Sequence, residues 1–157
     1  MSPAEKHPMM PEPPTHAGVR VGIDIVRIAA IVESIDTFGE HFVTRLFHAD
    51  EITWIRSSPA QSAERAAARF AAKEAAIKAF GLAEVGVRWP DLEVRRAPGG
   101  ACRLVLHGSA LRHACANGLA PASLSLSHDG DYAVAIVMAT PVCFSDPVSL
   151  SLSAATP

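Results

Sequence analysis

The chain has 157 residues, 49% hydrophobic and 19% charged, with a formal net charge of -2. That length supports one domain with a real core, and the composition excludes global disorder. The near-neutral charge offers no basic face for nucleic acid, and no apolar run reaches the ~18 residues of a spanning helix, so neither nucleic acid nor membrane is an expected partner.

Residues 1–17 hold five prolines and no apolar core of a signal peptide, and they read as a disordered tail. A cytoplasmic location follows as the expectation. The three cysteines, Cys102, Cys115 and Cys143, stand in no CxxC spacing and fit neither a disulfide framework nor a zinc site. A single domain is expected over 18–140. Residues 141–157 read as a second tail, Ser-rich, with Val148, Leu150 and Leu152 as its only strand-like alternation.

Within the domain, Val19, Val21 and Ile23 alternate as a strand does, and Ile25, Ile28, Ile31, Val32 and Ile35 follow at helical spacing. That reading puts Asp24 at the handover, in the position of a helix N-cap. Helical patterning continues over 38–47 and 50–56. Ser58 and Pro59 then predict the start of a long Ala-rich helix that stops at Gly81. Strand signals follow at 92–94, 102–106, 123–127 and 132–138, with a short helix over 111–116. Helices first and neighbouring strands later predict an α+β fold, a mainly antiparallel small sheet packed on helices.

The long helix carries the most informative string, Arg69-Phe70-Ala71-Ala72-Lys73-Glu74-Ala75, then Lys78-Ala79-Phe80-Gly81, with two of the chain's three lysines. Glu74 borders an apolar stripe, where a carboxylate is costly unless paired or metal-bound. It reads either as an ordinary i,i+4 pair with Lys78, worth about 0.2–0.5 kcal/mol, or as half of a metal site. Asp24 likewise reads as a cap, or as a second carboxylate joining Glu74 around a hard cation such as Mg²⁺, which takes few protein ligands and fills the rest with water and phosphate oxygens. In Ser127-His128-Asp129, consecutive strand residues point to opposite faces and cannot converge as a catalytic triad. A single His128 beside Asp129 remains, as a structural residue, a phosphate contact or a base. Arg65, Arg95 and Arg96 read as solvated, His107 and His113 have no metal-ligand spacing, and neither a P-loop nor a GxGxxG occurs.

These clusters, in this order, resemble the 4′-phosphopantetheinyl transferases of the holo-acyl-carrier-protein synthase type. The matching strings are Gly22-Ile23-Asp24-Ile25-Val26, the helix string from Arg69 to Gly81, and Ser125-Leu126-Ser127-His128 with Tyr132-Ala133. The resemblance implies transfer of phosphopantetheine from coenzyme A, the donor substrate, to a serine of an apo acyl carrier protein, in support of fatty-acid synthesis. It implies Mg²⁺ held by Asp24 and Glu74, Lys78 at the phosphates, and Arg69, Lys78, Ser127 and His128 at the coenzyme. His128, polarised by Asp129, is the favoured base, with Lys78 as a further catalytic group; a metal-bound water and a carboxylate are the other bases open. Short members of the family resemble homotrimers with sites between subunits, so the metal residues and the Arg or His contacts are expected from different copies. The chain departs from the pattern at Ala30, where the family carries a basic residue; at Leu82-Ala83, in place of Thr-Gly; and at the turn Gly99-Gly100-Ala101-Cys102. Two alternatives stand beside this reading: a non-catalytic coenzyme A or carrier-binding module, and the same chemistry on a polyketide or peptide synthase carrier.

Overall fold

The computed structural model describes residues 18–142, so the expectations for 1–17 and 143–157, including the strand near Val148, lie outside the described residues. The chain opens with strand β1 (Arg20–Arg27), then helices α1 (Ile28–Leu46) and α2 (Ala49–Arg56). A 3₁₀ turn (Pro59–Gln61) leads into the long helix α3 (Ser62–Phe80). A second 3₁₀ turn (Trp89–Asp91) precedes the hairpin β2 (Leu92–Arg96) and β3 (Cys102–Leu106). Helix α4 (Gly108–Ala116) and the long hairpin β4 (Leu119–Asp129) and β5 (Tyr132–Pro141) complete it.

The fold is α+β with antiparallel pairing throughout, as expected, but the strands form two sheets: β1-β5-β4, and the separate pair β2-β3. One expectation is corrected at β1. Asp24 is no helix cap; it lies inside the strand, opposite Ala135 of β5. The alternation simply continues, with Ile23 and Ile25 outward and Gly22, Asp24 and Val26 inward, and helix begins only at Ile28. Ile25, Ile28 and Ile31 match both periods over so short a stretch, and strand pairing with β5 decides. Similarly, the turn after Ser58 is 3₁₀ and α3 itself starts at Ser62, while Gly81 ends it with φ 67° and an N–H donated to the Ile77 carbonyl.

Helix α3 is the spine. Its Ala71, Ala72, Ala75, Ala76 and Ala79 are fully buried against the sheet. This closeness depends on Gly22: a Cβ there would lie 1.9 Å from the Ala75 carbonyl oxygen and 2.8 Å from the Ala79 nitrogen. Small residues on both elements therefore bring the inward side of β1 directly onto α3.

A buried polar knot fixes the other side of α3. Lys73, wholly buried, donates to Glu51 Oε2 (2.7 Å), the Trp89 carbonyl (3.1 Å) and the Leu92 carbonyl (2.5 Å), which uses all three ammonium hydrogens. Glu51 also accepts from His48 N (2.8 Å) and Val94 N (3.1 Å). Burial lowers the Lys73 pKa and Glu51 opposes that shift. The knot ties α2, α3 and β2 together, with every polar group paired, the condition for a buried ion pair to be tolerated.

Candidate active site

The inward face of β1 and one flank of α3 bring three of the sequence-selected residues together. Lys78 Nζ donates to Asp24 Oδ1 at 2.8 Å and to the Ile23 carbonyl at 2.9 Å. The i,i+4 pair between Glu74 and Lys78 does not form; Lys78 reaches across to β1 instead. Glu74 makes no hydrogen bond or ion pair among the described residues, and its carboxyl is raised above the ordinary range by burial and by Asp24, with Lys78 partly opposing. Two neighbouring carboxylates, one only half neutralised and one unpartnered, are hard oxygen donors that suit a divalent cation with open positions for water and phosphate.

On the opposite flank lies a second group. Arg69 is only 3% exposed and, among the described residues, has no carboxylate partner and makes one hydrogen bond, to the Arg65 carbonyl at 3.3 Å. Burial lowers its pKa and Glu51 opposes. It lines a cleft of about 310 Å³ with Trp54, Glu64, Arg96, Leu126 and His128. An adjoining cavity of about 430 Å³ shares Trp54, Arg69 and Arg96 and adds Asp50 and Arg95. The Arg65 and Arg96 guanidiniums lie 4.3 Å and 4.5 Å from the Trp54 ring centre. Arg65 and Arg96 are thus organised around Trp54 and are not merely solvated, and the sequence reading left Trp54 out. A tryptophan on a short amphipathic helix with arginines in later elements gives no local signal; only the packing of α2 on β2 and α3 assembles them.

Strand alternation separates the third cluster. Leu126 and His128 line the Arg69 cleft. Ser127 and Asp129 fall on the alternate side of β4, opposite Val134 and Tyr132 of β5. No hydrogen bond joins Asp129 to His128. The two functional groups are also kept apart. Asp24 lies on one edge strand and His128 on the other, with β5 between them, about 10 Å of sheet. Helix α3 covers that gap, with Glu74 and Lys78 on the β1 side and Arg69 on the β4 side.

A further cluster, His48, Glu93 and His107, places its ligand atoms within 4.8 Å of one another. Glu93 accepts from Arg95 Nε (2.9 Å), the same guanidinium's terminal nitrogen (2.7 Å) and His107 Nε2 (2.7 Å). Burial pushes its pKa up, but Arg95 and His107 outweigh that and hold it at about 2. The two imidazoles are stacked, their centroids 5.5 Å apart and their planes within 10° of parallel, so their lone pairs lie in separate planes. With Arg95 already on the carboxylate, the cluster acts as a clamp between α2, β2 and the β3–α4 junction.

Comparison with known proteins adds a consistent set of relatives. Residues 20–137 match the model of the 4'-phosphopantetheinyl transferase superfamily. The chain is 48% identical over 118 residues to the holo-[acyl-carrier-protein] synthase of Koribacter versatilis (strain Ellin345), covering 74% of this chain and 94% of that one. It is 45% identical over 121 residues to the synthase of the same description from Anaeromyxobacter dehalogenans (strain 2CP-1), covering 75% and 92%. Among solved structures, the ACPS–CoA complex of Chronobacterium ammoniagenes superposes with a TM-score of 0.69 at 30% identity, covering 79% of this chain and 98% of that one. The Helicobacter pylori holo-[acyl-carrier-protein] synthase in complex with coenzyme A superposes with a TM-score of 0.64 at 28% identity, covering 76% and 99%.

Proposed function

We infer that this chain, which belongs to the 4′-phosphopantetheinyl transferase superfamily, is a holo-acyl-carrier-protein synthase that moves phosphopantetheine from coenzyme A to a serine of apo acyl carrier protein. The observation that carries the reading is the meeting of Asp24, Glu74 and Lys78 at the β1–α3 contact. The serine oxygen forms a bond to the phosphorus that bears pantetheine. The bond from that phosphorus to the bridging oxygen breaks, and its electron pair leaves with 3′,5′-ADP.

Asp24 and Glu74 are the residues that would hold Mg²⁺, which when bound offsets the charge of the pyrophosphate. Lys78 supplies a fixed cation beside them, able to exchange Asp24 for a phosphate oxygen. Arg69, buried without a counter-ion among the described residues, supplies a site for the coenzyme's remaining negative charge. His128, exposed at the rim of the Arg69 cleft, takes the serine proton in this reading. Asp129, on the far side of β4, acts on it only through the local field. Ser127 belongs to the coenzyme-binding set only if a neighbouring copy brings the ligand to that side.

That separation favours a homotrimer with sites between subunits. The outward face of β1, together with Val19 just before it, is an apolar stripe, with Val19, Val21, Ile23 and Ile25 at 53–64% exposure, and it continues into Ile136 of β5. Such a patch marks an interface, and a head-to-tail ring would set the Asp24 flank of one copy against the Arg69 flank of the next. Free Cys102 and Cys115 suit a reducing cytoplasm, and fatty-acid synthesis is the process served. No described helix is long and apolar enough to cross a membrane.

Intact-mass spectrometry of apo acyl carrier protein with this protein, coenzyme A and Mg²⁺ tests the reading. A metal-dependent gain of one phosphopantetheine, abolished by Glu74→Ala, is expected. Coenzyme A binding with no gain on any carrier would instead leave a non-catalytic binding module.

A further inference from the structure

Cys102 opens β3 and stands opposite Arg96, at the last pair of the β2–β3 ladder. Residues opposed in this way project on one side of a hairpin, with Cβ atoms about 4.5–5.5 Å apart. Cys102 also lines the cleft of about 310 Å³ with Arg65, Arg69 and Arg96. A thiolate at Cys102 is close enough to Arg69 to favour the charged form of its guanidinium. A second cavity, of about 370 Å³, opens between β3 and β4, with Cys102 again on its wall and Arg103 beside it. The half-buried Cys102 therefore has space on two sides and cations around it. Cys115, exposed on α4, lines neither cavity. An independent observation marks the first cleft as a ligand site: Arg69 Nε and Glu64 Oε2 line it, are buried, and have no hydrogen-bond partner among the described residues. Buried polar atoms are almost always paired. An unmet donor on a cation and an unmet acceptor on a carboxylate together suit an amino-acid group, its carboxylate toward Arg69 and its ammonium toward Glu64.

We propose that Cys102 is a thiol–disulfide exchange site for small anionic disulfides that carry amino-acid groups, and that the half left on the sulfur closes the cleft to coenzyme A. The consequence for coenzyme A rests on the transferase reading above; the exchange itself does not. The Cys102 thiolate attacks one sulfur of the disulfide and forms a new S–S bond to that half. The old S–S bond breaks, and its electron pair leaves on the other half as a thiolate, which takes up the proton that Cys102 gave up. The arginines raise the local concentration of an anionic disulfide at this sulfur, while an uncharged disulfide gains nothing from them. A further thiol reverses the step, so the occupancy of Cys102 follows the ratio of disulfide to thiol around the protein.

The test treats the wild-type protein with glutathione disulfide, or with the uncharged bis(2-hydroxyethyl) disulfide, and follows each cysteine by peptide mass mapping. Glutathione disulfide should load Cys102 about tenfold or more faster than Cys115, although Cys115 is the more exposed. That preference should shrink at high ionic strength and be lost with the uncharged probe. Saturating 3′,5′-ADP should slow loading at Cys102 and leave Cys115 unchanged. Protein loaded at Cys102 should lose phosphopantetheine transfer and recover it with dithiothreitol, and Cys102→Ser should transfer normally in glutathione disulfide. Loading of Cys102 no faster than Cys115, or an equal preference for Cys102 with the uncharged probe, overturns the exchange site. Loaded protein that binds 3′,5′-ADP as tightly as the free thiol form, read by calorimetry, overturns the closure of the cleft. No transfer by untreated wild type overturns the transferase reading alone, and the mapped rates still decide the exchange site.

Discussion

Replacing Glu74 by Gln should make the protein no less stable without metal and deaf to Mg²⁺. The carboxyl of Glu74 lies above its ordinary value of 4.5, chiefly through burial and then through Asp24. A group whose pKa is raised on folding favours the fold while protonated; that contribution is complete below the unfolded value and lost as pH rises through the folded one. Ionising Glu74 is therefore a cost to the fold, and a neutral isostere removes a like-charge contact worth about a few tenths of a kcal/mol. Divalent cation bound at tenfold excess over its dissociation constant adds about 1.4 kcal/mol to the wild type. For a chain of this size that is a rise of about 3–6 °C in Tm. Thermal unfolding at pH 7, at fixed protein concentration and with Mg²⁺ titrated from zero, reads both effects. Expected is a rising curve for the wild type and a flat one for Glu74→Gln, starting at the same Tm or slightly higher. A Glu74→Gln curve that climbs with Mg²⁺ like the wild type, or one that starts several degrees lower, would refute the reasoning, since the carboxylate would then be a structural partner and not a metal ligand.

Gly22→Ala should cost about 1–3 kcal/mol and abolish transfer, because its methyl would meet the Ala75 carbonyl and push Asp24 away from Glu74; a urea midpoint and a transfer rate near wild type would contradict this. Lys73→Met should lower stability by about 3–5 kcal/mol by stranding the buried Glu51 carboxylate, and Lys73→Met with Glu51→Gln should recover much of that loss. Urea unfolding at constant m decides, and strict additivity of the single changes would show that the pair is not coupled. Finally, Glu74→Ala and Arg69→Gln subunits, each inactive alone, should regain about a quarter of wild-type activity when refolded together at equal amounts, the share of intact heterologous contacts under random assortment. No recovery would mean that both residues serve the same site from the same chain.

How much of this was legible in the sequence follows from the range of each interaction. The antiparallel α+β character, α3 and its stop at Gly81 rest on local pattern and turn chemistry, and they were readable. Asp24 was singled out but misplaced as a cap, because over a few residues the isoleucines satisfy strand and helix periods alike and only pairing with β5 separates them. Glu74 and Lys78 looked like partners at i,i+4, yet Asp24 is 54 residues from Lys78 in sequence and takes its ammonium instead. Lys73 sits beside Glu74 in the same string but points into the core, toward Glu51, Trp89 and Leu92, and nothing local distinguishes the two lysines. Trp54 and Glu64 escaped notice for the same reason, since their significance lies in which strand and helix ends meet around them.

The arrangement of β1 links assembly to chemistry at one-residue resolution. Gly22 and Asp24 face α3, while Val21, Ile23 and Ile25, interleaved with them, face outward and are exposed. A strand at a sheet edge, backed by a single neighbour, is held weakly along its outer face. In the proposed trimer the burial of that face would fix β1 from the side away from α3, and any motion it suppresses is motion of Asp24 relative to Glu74. The same contact would present the Arg69 flank of a second copy, which the first chain cannot supply because its own α3 stands between. Oligomerisation would then do two jobs through one strand: the outward residues would provide the apolar area, and the inward residues would become both rigid and complete as a site.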